Sequence, residues 1–157
     1  MSLSIELAAL FSRDLERVAQ EVAAFPSDEA LWKTAPGVTN SAGNLALHLE
    51  GNLREFIGRQ LGGVAYKRDR PFEFAATGLT RDEVAARIDS VKAIIAPALA
   101  TASLDAVFPE NVLGLPLTTR QFLLHLLGHL NYHLGQIDYL RRVNTGDGAI
   151  KLAGLQP

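Results

Sequence analysis

The chain has 157 residues, of which 48% are hydrophobic and 20% charged, and it contains no cysteine. This composition is typical of one globular domain, residues 1–157, and it excludes disulfides, cysteine-ligated metals and a protein thiol nucleophile. With 15 basic and 17 acidic residues the net charge is −2, which argues against a nucleic-acid partner and provides no polybasic membrane anchor.

The hydropathy pattern predicts a cytoplasmic protein. No segment approaches the ~20 apolar residues that a membrane-spanning helix needs. Residues 1–18 carry acidic and basic side chains early, with no charged region ahead of an apolar block, so they do not resemble a signal peptide.

The first half of the chain predicts two long helices. Apolar residues at helical spacing indicate the first over residues 3–24. Asn40 or Ser41, both good N-cap residues, begins the second, which is predicted over residues 41–61. Gly62 follows it as a terminator.

A long loop is predicted after the second helix, over residues 64–78. Loops of this length in compact domains often carry function. The charged run Arg68, Asp69 and Arg70 within it is interpreted as solvated.

The third helix has the clearest start. Thr80 and Glu83 form a capping-box pattern ahead of an apolar period, which predicts a helix over residues 80–98. Pro97 is expected to kink or end it.

The fourth helix is predicted over residues 119–143, capped by Thr118 or Thr119, with a Gly-rich tail over residues 144–157. No strand pattern is found. Four helices of this length joined by medium loops predict an all-α protein built as a four-helix bundle.

Histidine spacing is the strongest chemical signal. His125, His129 and His133 lie at i, i+4 and i+8 on the fourth helix. Each is offset from the next by about 40° around the helix, so all three lie on one stripe. Two imidazoles one turn apart can bind one metal ion, and spacing leaves the pair open between His125/His129 and His129/His133.

The remaining histidine, His48, lies on the second helix within a polar stripe with Asn44, Asn52, Glu55 and Arg59. This stripe is either a solvated face or a polar cleft beside a metal. A helical interaction module with incidental histidines is a further alternative. The chain has no H-E-x-x-H, no Glu-x-x-His repeat and no phosphate-binding glycine loop, which argues against a zinc metalloprotease, a ferritin-like di-iron protein and a P-loop enzyme.

Three segments together resemble a known superfamily. They are SAGNLALHLEGNLR at residues 41–54, RDRPFEF at residues 68–74 and HLLGHLNYHLGQI at residues 125–137. They are similar to the DinB/YfiT-like superfamily of metal-binding four-helix bundles, and in particular to an uncharacterised bacterial branch of it. The resemblance covers nearly the whole chain and implies an up-down-down-up or related helix order.

The resemblance also implies a ligand set. In that superfamily one histidine of the second helix and two residues of the last helix bind a divalent metal, and the last ligand precedes Gly-Gln. Because Gly135-Gln136 follows His133, the ligands carry over to His48, His129 and His133. His125 then becomes a neighbour that lines the pocket or supports a ligand.

Three neutral imidazoles leave a divalent ion its full charge and an open position, as in catalytic zinc sites. Zinc or nickel suits such ligands. Position on the helices suggests five polar neighbours of the site. Arg54 is a candidate for binding an anionic substrate, and the other four are Asn44, Asn52, Tyr132 and Gln136.

Characterised members of the superfamily include transferases and isomerases that use a low-molecular-weight thiol, such as mycothiol, bacillithiol or glutathione, and also hydrolases. We therefore expect a metal-dependent thiol transferase or hydrolase acting on a small molecule. Because the chain lacks cysteine, any reacting sulfur comes with a substrate. The alternative is a non-catalytic, stress-related protein that binds a metal or another ligand. Relatives often form homodimers, which is expected here too.

Overall fold

Six α-helices and one π-helical segment make up most of the chain in the computed structural model, which describes residues 2–111 and 114–150. The elements are α1 (Leu3–Ala23), α2 (Asp28–Trp32), α3 (Ala42–Leu53), a π-helical segment (Arg54–Arg59), α4 (Arg70–Ala75), α5 (Arg81–Thr101) and α6 (Thr119–Thr145). The described residues contain no named β-strand, so the predicted all-helical class is confirmed.

Three helix starts follow the capping residues of the sequence. Ser41, Thr80 and Thr118 each accept a hydrogen bond from the backbone three residues on, and the side chain at that third position accepts one from the cap backbone. These reciprocal bonds satisfy two backbone N–H groups that a helix start otherwise leaves open. At the other end of α6, Gly146 adopts a φ of 78°, which closes the helix in a left-handed conformation.

Helix ends differ from prediction by a few residues. The predicted second helix, 41–61, is regular only through Leu53 and continues as the π-helical segment Arg54–Arg59. Pro97 does not end α5, which runs on to Thr101. The α6 helix extends through Thr145 into the predicted tail, of which residues 151–157 lie outside the described residues.

The predicted loop 64–78 contains a helix. The Asp69 side chain accepts a hydrogen bond from the backbone of Phe72, and a proline stands in the first turn, so α4 begins at Arg70. The interpretation of the charged run as solvated is wrong for Arg68, whose side chain is only 14% exposed.

The four longest helices pack round one apolar core. The α1 helix contacts α5 and α6, and α3 contacts the same two helices. Buried aliphatic and aromatic side chains from all four form the core, and α4 packs on α3. The groove between α3 and α6 is therefore where histidines of the second and last helices can meet. The up-down-down-up order stays a prediction.

One ion pair is buried between the first and last helices. Arg141 Nε donates to Glu21 Oε2 at 2.6 Å, and both side chains are almost fully buried. Arg141 Nη2 also donates to the Gly148 carbonyl, which ties the segment after α6 to the bundle. None of the described helices is long and apolar enough to cross a membrane.

Candidate metal centre

His48 on α3 meets His129 and His133 on α6. The Nε2 atom of His129 lies 3.2 Å from Nε2 of His48 and 3.1 Å from Nε2 of His133. His48 is buried, and the other two rings are half-buried. Among the described residues, these three side chains form a group whose potential ligand atoms all lie within 4.8 Å of one another.

The spacing of these nitrogens fits one ion. Three imidazole nitrogens, each ~2.0–2.1 Å from a tetrahedral zinc, lie about 3.3 Å apart. The two measured separations from His129 Nε2 are close to that value. The triad can therefore hold a divalent metal.

A carboxylate fixes the orientation of the His48 ring. His48 Nδ1 donates to Glu73 Oε2 at 2.9 Å, and Arg68 holds the same carboxylate through Nε at 2.6 Å and Nη2 at 2.8 Å. The Phe74 ring packs on His48 with 4.9 Å between ring centres. A carboxylate that accepts the Nδ1 proton leaves Nε2 free as a ligand, which is the usual support of a metal-binding histidine.

An amide oxygen plays the same part for His133. Its Nδ1 donates to Gln136 Oε1 at 2.6 Å. With both Nδ1 atoms protonated, the Nε2 atoms of His48 and His133 are acceptors. Both of these acceptors face His129 Nε2, which carries at most one hydrogen and can donate to only one of them. A cation between the rings removes this conflict.

The surroundings favour the neutral form of His129 and His133. Burial, followed by the charges of His133 and His48, lowers the pKa of His129 to about 4. Burial also lowers the pKa of His133, against the opposing hydrogen bond to Gln136. Burial by itself would raise the pKa of Glu73, but hydrogen bonds from Arg68 and His48 outweigh it, and the pKa of Glu73 is lowered. Neutral imidazoles beside an ionised carboxylate are the protonation states that metal binding requires.

Two cavities flank the triad. The larger, of about 510 Å³, lies on the His133 side and is lined mainly by apolar and tyrosine side chains, including Tyr132 and Tyr139. The smaller, of about 190 Å³, lies on the side of His48 and His129. Its other lining residues are Asn52, Phe56, Arg68, Arg70, Phe122, His125 and Leu126.

Four of the six candidate neighbours line one of these cavities. Asn52 and His125 line the smaller one, and Tyr132 and Gln136 line the larger one. His125 stacks on Phe122 with 5.9 Å between ring centres. Gln136 also contacts a triad ring directly.

The other two candidates are engaged elsewhere. Asn44 Nδ2 donates to the backbone oxygens of Glu73 and Ala76, so it holds α4 against α3. Arg54 donates to Glu50 at 2.9 Å and also bonds Ser90 on α5.

Sequence reasoning gave no role to Glu73, Arg68 or Arg70, although all three stand in the RDRPFEF run. Local pattern could not place them, because Glu73 reaches His48 across 25 residues. The available signal was Asp69 and Pro71, a cap followed by a first-turn proline, which together predict a helix start inside the supposed loop.

A family model described as mycothiol-S-transferase matches residues 6–146. Two solved structures share the fold. A conserved protein from Enterococcus faecalis is 18% identical with a TM-score of 0.75, over 94% of this chain and 99% of that chain. A DinB-like protein from Bacillus cereus ATCC 10987 is 20% identical with a TM-score of 0.68, over 92% of this chain and 95% of that chain. A search of curated proteins found no match.

Proposed function

Since the chain belongs to the mycothiol-S-transferase family, we propose that it is a divalent-metal-dependent enzyme that joins a low-molecular-weight thiol to a small electrophile. His48, His129 and His133 are the proposed ligands. The observation that carries the proposal is the convergence of their three Nε2 atoms between two cavities. One cavity can take the thiol and the other the electrophile.

The donor set supports a reactive rather than a structural metal site. Structural zinc sites are usually closed by four protein ligands, whereas catalytic sites keep a position open. Three neutral imidazoles cancel none of the charge of the ion, and zinc or nickel is the proposed metal. When bound, such an ion supplies Lewis acidity that favours the thiolate form of a nearby thiol.

The chain's own side chains have distinct tasks in this scheme. Glu73 and Gln136 hold protons at His48 Nδ1 and His133 Nδ1, which keeps both Nε2 atoms available. Phe74 covers one face of His48 and limits access of water to it. In the reaction a sulfur–carbon bond forms, the thiol proton passes to solvent, and in a substitution the leaving group departs with its electron pair.

The large cavity suits the thiol. Its volume of about 510 Å³ falls within the range of small-molecule sites, whereas the smaller cavity falls below it. Low-molecular-weight thiols are kept reduced in the cytoplasm, so a cytoplasmic location is part of the proposal.

A homodimer is also proposed. Four large apolar or aromatic side chains on one side of α6 are each more than half exposed: Leu124, Tyr132, Tyr139 and Val143. Burying them against a second copy is favourable in proportion to their apolar area. Because Tyr132, Tyr139 and Val143 also line the larger cavity, the second copy would then close part of the proposed thiol site. Sedimentation velocity tests this proposal. A dimer with a dissociation constant of about 1 µM would be almost fully formed at about 100 µM protein. A monomer at every concentration up to that value would contradict the proposal.

The metal is tested first, by elemental analysis of untagged protein purified after zinc and nickel supplementation. We expect one equivalent in the wild type and a loss of most of it in His48→Ala and in His133→Ala. His125→Ala is the matched control, since that residue lies on the same stripe of α6 but outside the triad. Full metal occupancy in both triad variants would refute the ligand assignment.

Catalysis is tested next by thiol-conjugation assays. Mycothiol, bacillithiol and glutathione are each combined with a panel of electrophiles, and product is measured by mass spectrometry with and without a chelator. Chelator-sensitive conjugation supports the transferase. Hydrolysis of an ester or amide panel without thiol would instead favour a hydrolase, and metal binding without any turnover would favour the non-catalytic binding protein.

A further inference from the structure

The smaller cavity beside the triad contains polar groups that the protein itself leaves unused. Asn52 is only 7% exposed, yet its Oδ1 is buried without a hydrogen-bond partner among the described residues. A buried amide without partners is costly, and most buried polar groups are satisfied. The Oδ1 atom is an acceptor and cannot bind an anion, but the Nδ2 group of the same amide also has no partner among the described residues. Because Asn52 lines the cavity, Nδ2 can donate to a molecule that enters there.

Arg70 supplies a cation to the same cavity. Its guanidinium carbon lies 5.5 Å from the centre of the Phe74 ring, and within the described parts of the chain no carboxylate pairs with it. Arg68, by contrast, is held at two points by Glu73. Of the two arginines in this cavity, Arg70 is thus the one with donors to spare.

A third polar side chain completes the lining. His125 is exposed at the edge of the cavity and stacks on Phe122 through its ring face, which leaves its nitrogens without a hydrogen-bond partner among residues 2–111 and 114–150. The cavity therefore combines a guanidinium, an imidazole and an amide beside the metal ligands. Such donors match the two oxygens of a carboxylate, to which arginine binds in a bidentate manner.

We propose that this cavity binds the carboxylate of a small acidic electrophile, with Arg70 and Asn52 as the residues that select it. The inference rests on the proposed function. The volume of about 190 Å³ suits a short acid and not a whole thiol cofactor. The electrophilic carbon then lies between this cavity and the thiol in the larger one.

Iodoacetate and iodoacetamide provide a matched pair of substrates. They differ in charge but have nearly the same shape, and the chain has no cysteine for either to alkylate. In both reactions a sulfur–carbon bond forms, the carbon–iodine bond breaks, iodide leaves with the electron pair and the thiol proton goes to solvent. The ratio of kcat/KM for the anionic substrate to that for the neutral one therefore reports recognition of the carboxylate.

In Arg70→Gln this ratio should fall about tenfold, the worth of one charge-assisted hydrogen bond. Arg70→Lys keeps the charge and should recover most of the ratio. Arg59→Gln is the control, because Arg59 pairs with Glu55 outside the cavity. An unchanged ratio in Arg70→Gln would overturn the assignment.

A binding measurement separates this inference from the proposed function. Propionate and propionamide are titrated into metal-free protein while the side-chain NMR signals of Asn52 and Arg70 are recorded. Shifts with propionate alone support the site even if no thiol is ever transferred. The carboxylate site would be refuted if propionate causes no such shifts and the kcat/KM ratio is unchanged in Arg70→Gln. If thiol transfer is still observed in that case, the proposed function stands.

Discussion

The Glu73 carboxylate lies against Gly51 so closely that a β-carbon at position 51 would clash with Glu73 Oε1. The same carboxylate accepts the Nδ1 proton of His48. The absence of a side chain at position 51 is therefore part of how the His48 ring is oriented.

Gly51→Ala should weaken metal binding. An alanine normally stabilises a helix relative to glycine, but here the new methyl group displaces Glu73 from His48. We expect zinc affinity to fall about 10–100-fold, as it does when an outer-shell partner is lost. Competition with a chromophoric chelator measures it.

Gly128→Ala is the matched control for that experiment, because a β-carbon there meets no other atom within 4 Å. It should leave zinc affinity unchanged and stabilise the protein by up to about 1 kcal/mol in urea unfolding. Equal affinities for Gly51→Ala and Gly128→Ala would contradict the role given to Gly51.

Glu73→Gln tests the charge of the same group. The amide preserves shape but removes the negative charge that holds the His48 Nδ1 proton and pairs with Arg68. Zinc affinity should fall by a factor of about 10–100. Glu55→Gln removes a carboxylate that pairs with Arg59 outside both cavities, and a similar loss in that variant would show the effect to be non-specific.

Acid should destabilise the metal-free protein between pH 6.5 and about 4. In this window the unfolded chain protonates His129 near the ordinary pKa of 6.5, whereas the folded ring stays neutral down to about 4. The unfolded state then binds more protons, so stability is retained above pH 6.5 and declines as the pH falls. Urea unfolding of chelator-treated protein at pH 7, 6 and 5 measures the slope. His129→Asn should show a shallower slope, and identical slopes would refute the argument.

Arg141→Met should be the most destabilising of these changes. It leaves the Glu21 carboxylate buried without its partner, which costs roughly 3–5 kcal/mol. Burial raises the pKa of Glu21 even with Arg141 present. Protonation removes the unpaired charge and is easier at pH 5 than at pH 8, so the loss of stability in Arg141→Met should be smaller at pH 5. The double variant Glu21→Gln, Arg141→Met should be more stable than Arg141→Met alone at pH 8, and the reverse order would exclude an unpaired charge as the cause.

The parts of the fold that the sequence predicted well depend on local chemistry. Ser41, Thr80 and Thr118 cap helices through bonds to residues three positions away. Such signals are complete within one turn. The histidine stripe on α6 is local in the same sense, because it follows from helical spacing.

The residues that local pattern missed act across long separations or irregular backbone. Glu73 and Arg68 reach His48 from 25 and 20 residues away. The predicted polar stripe assumed a regular helix, but the backbone becomes π-helical after Leu53. Asn52 still lies in the regular helix, one turn after His48, and lines the cavity beside it. In the π-helical segment Arg59 pairs instead with Glu55 and with Glu110.

Arg68, Glu73 and Phe74, which surround His48, come from one run of seven residues, 68–74. Displacing this short segment removes a carboxylate, a guanidinium and an aromatic ring from His48 in one event, while α3 and α6 keep their core contacts. Local openings of this kind cost less free energy than global unfolding. Exchange of a bound ion is then expected to follow the opening rate of the segment, so the protein would gain and lose its metal without passing through the denatured state.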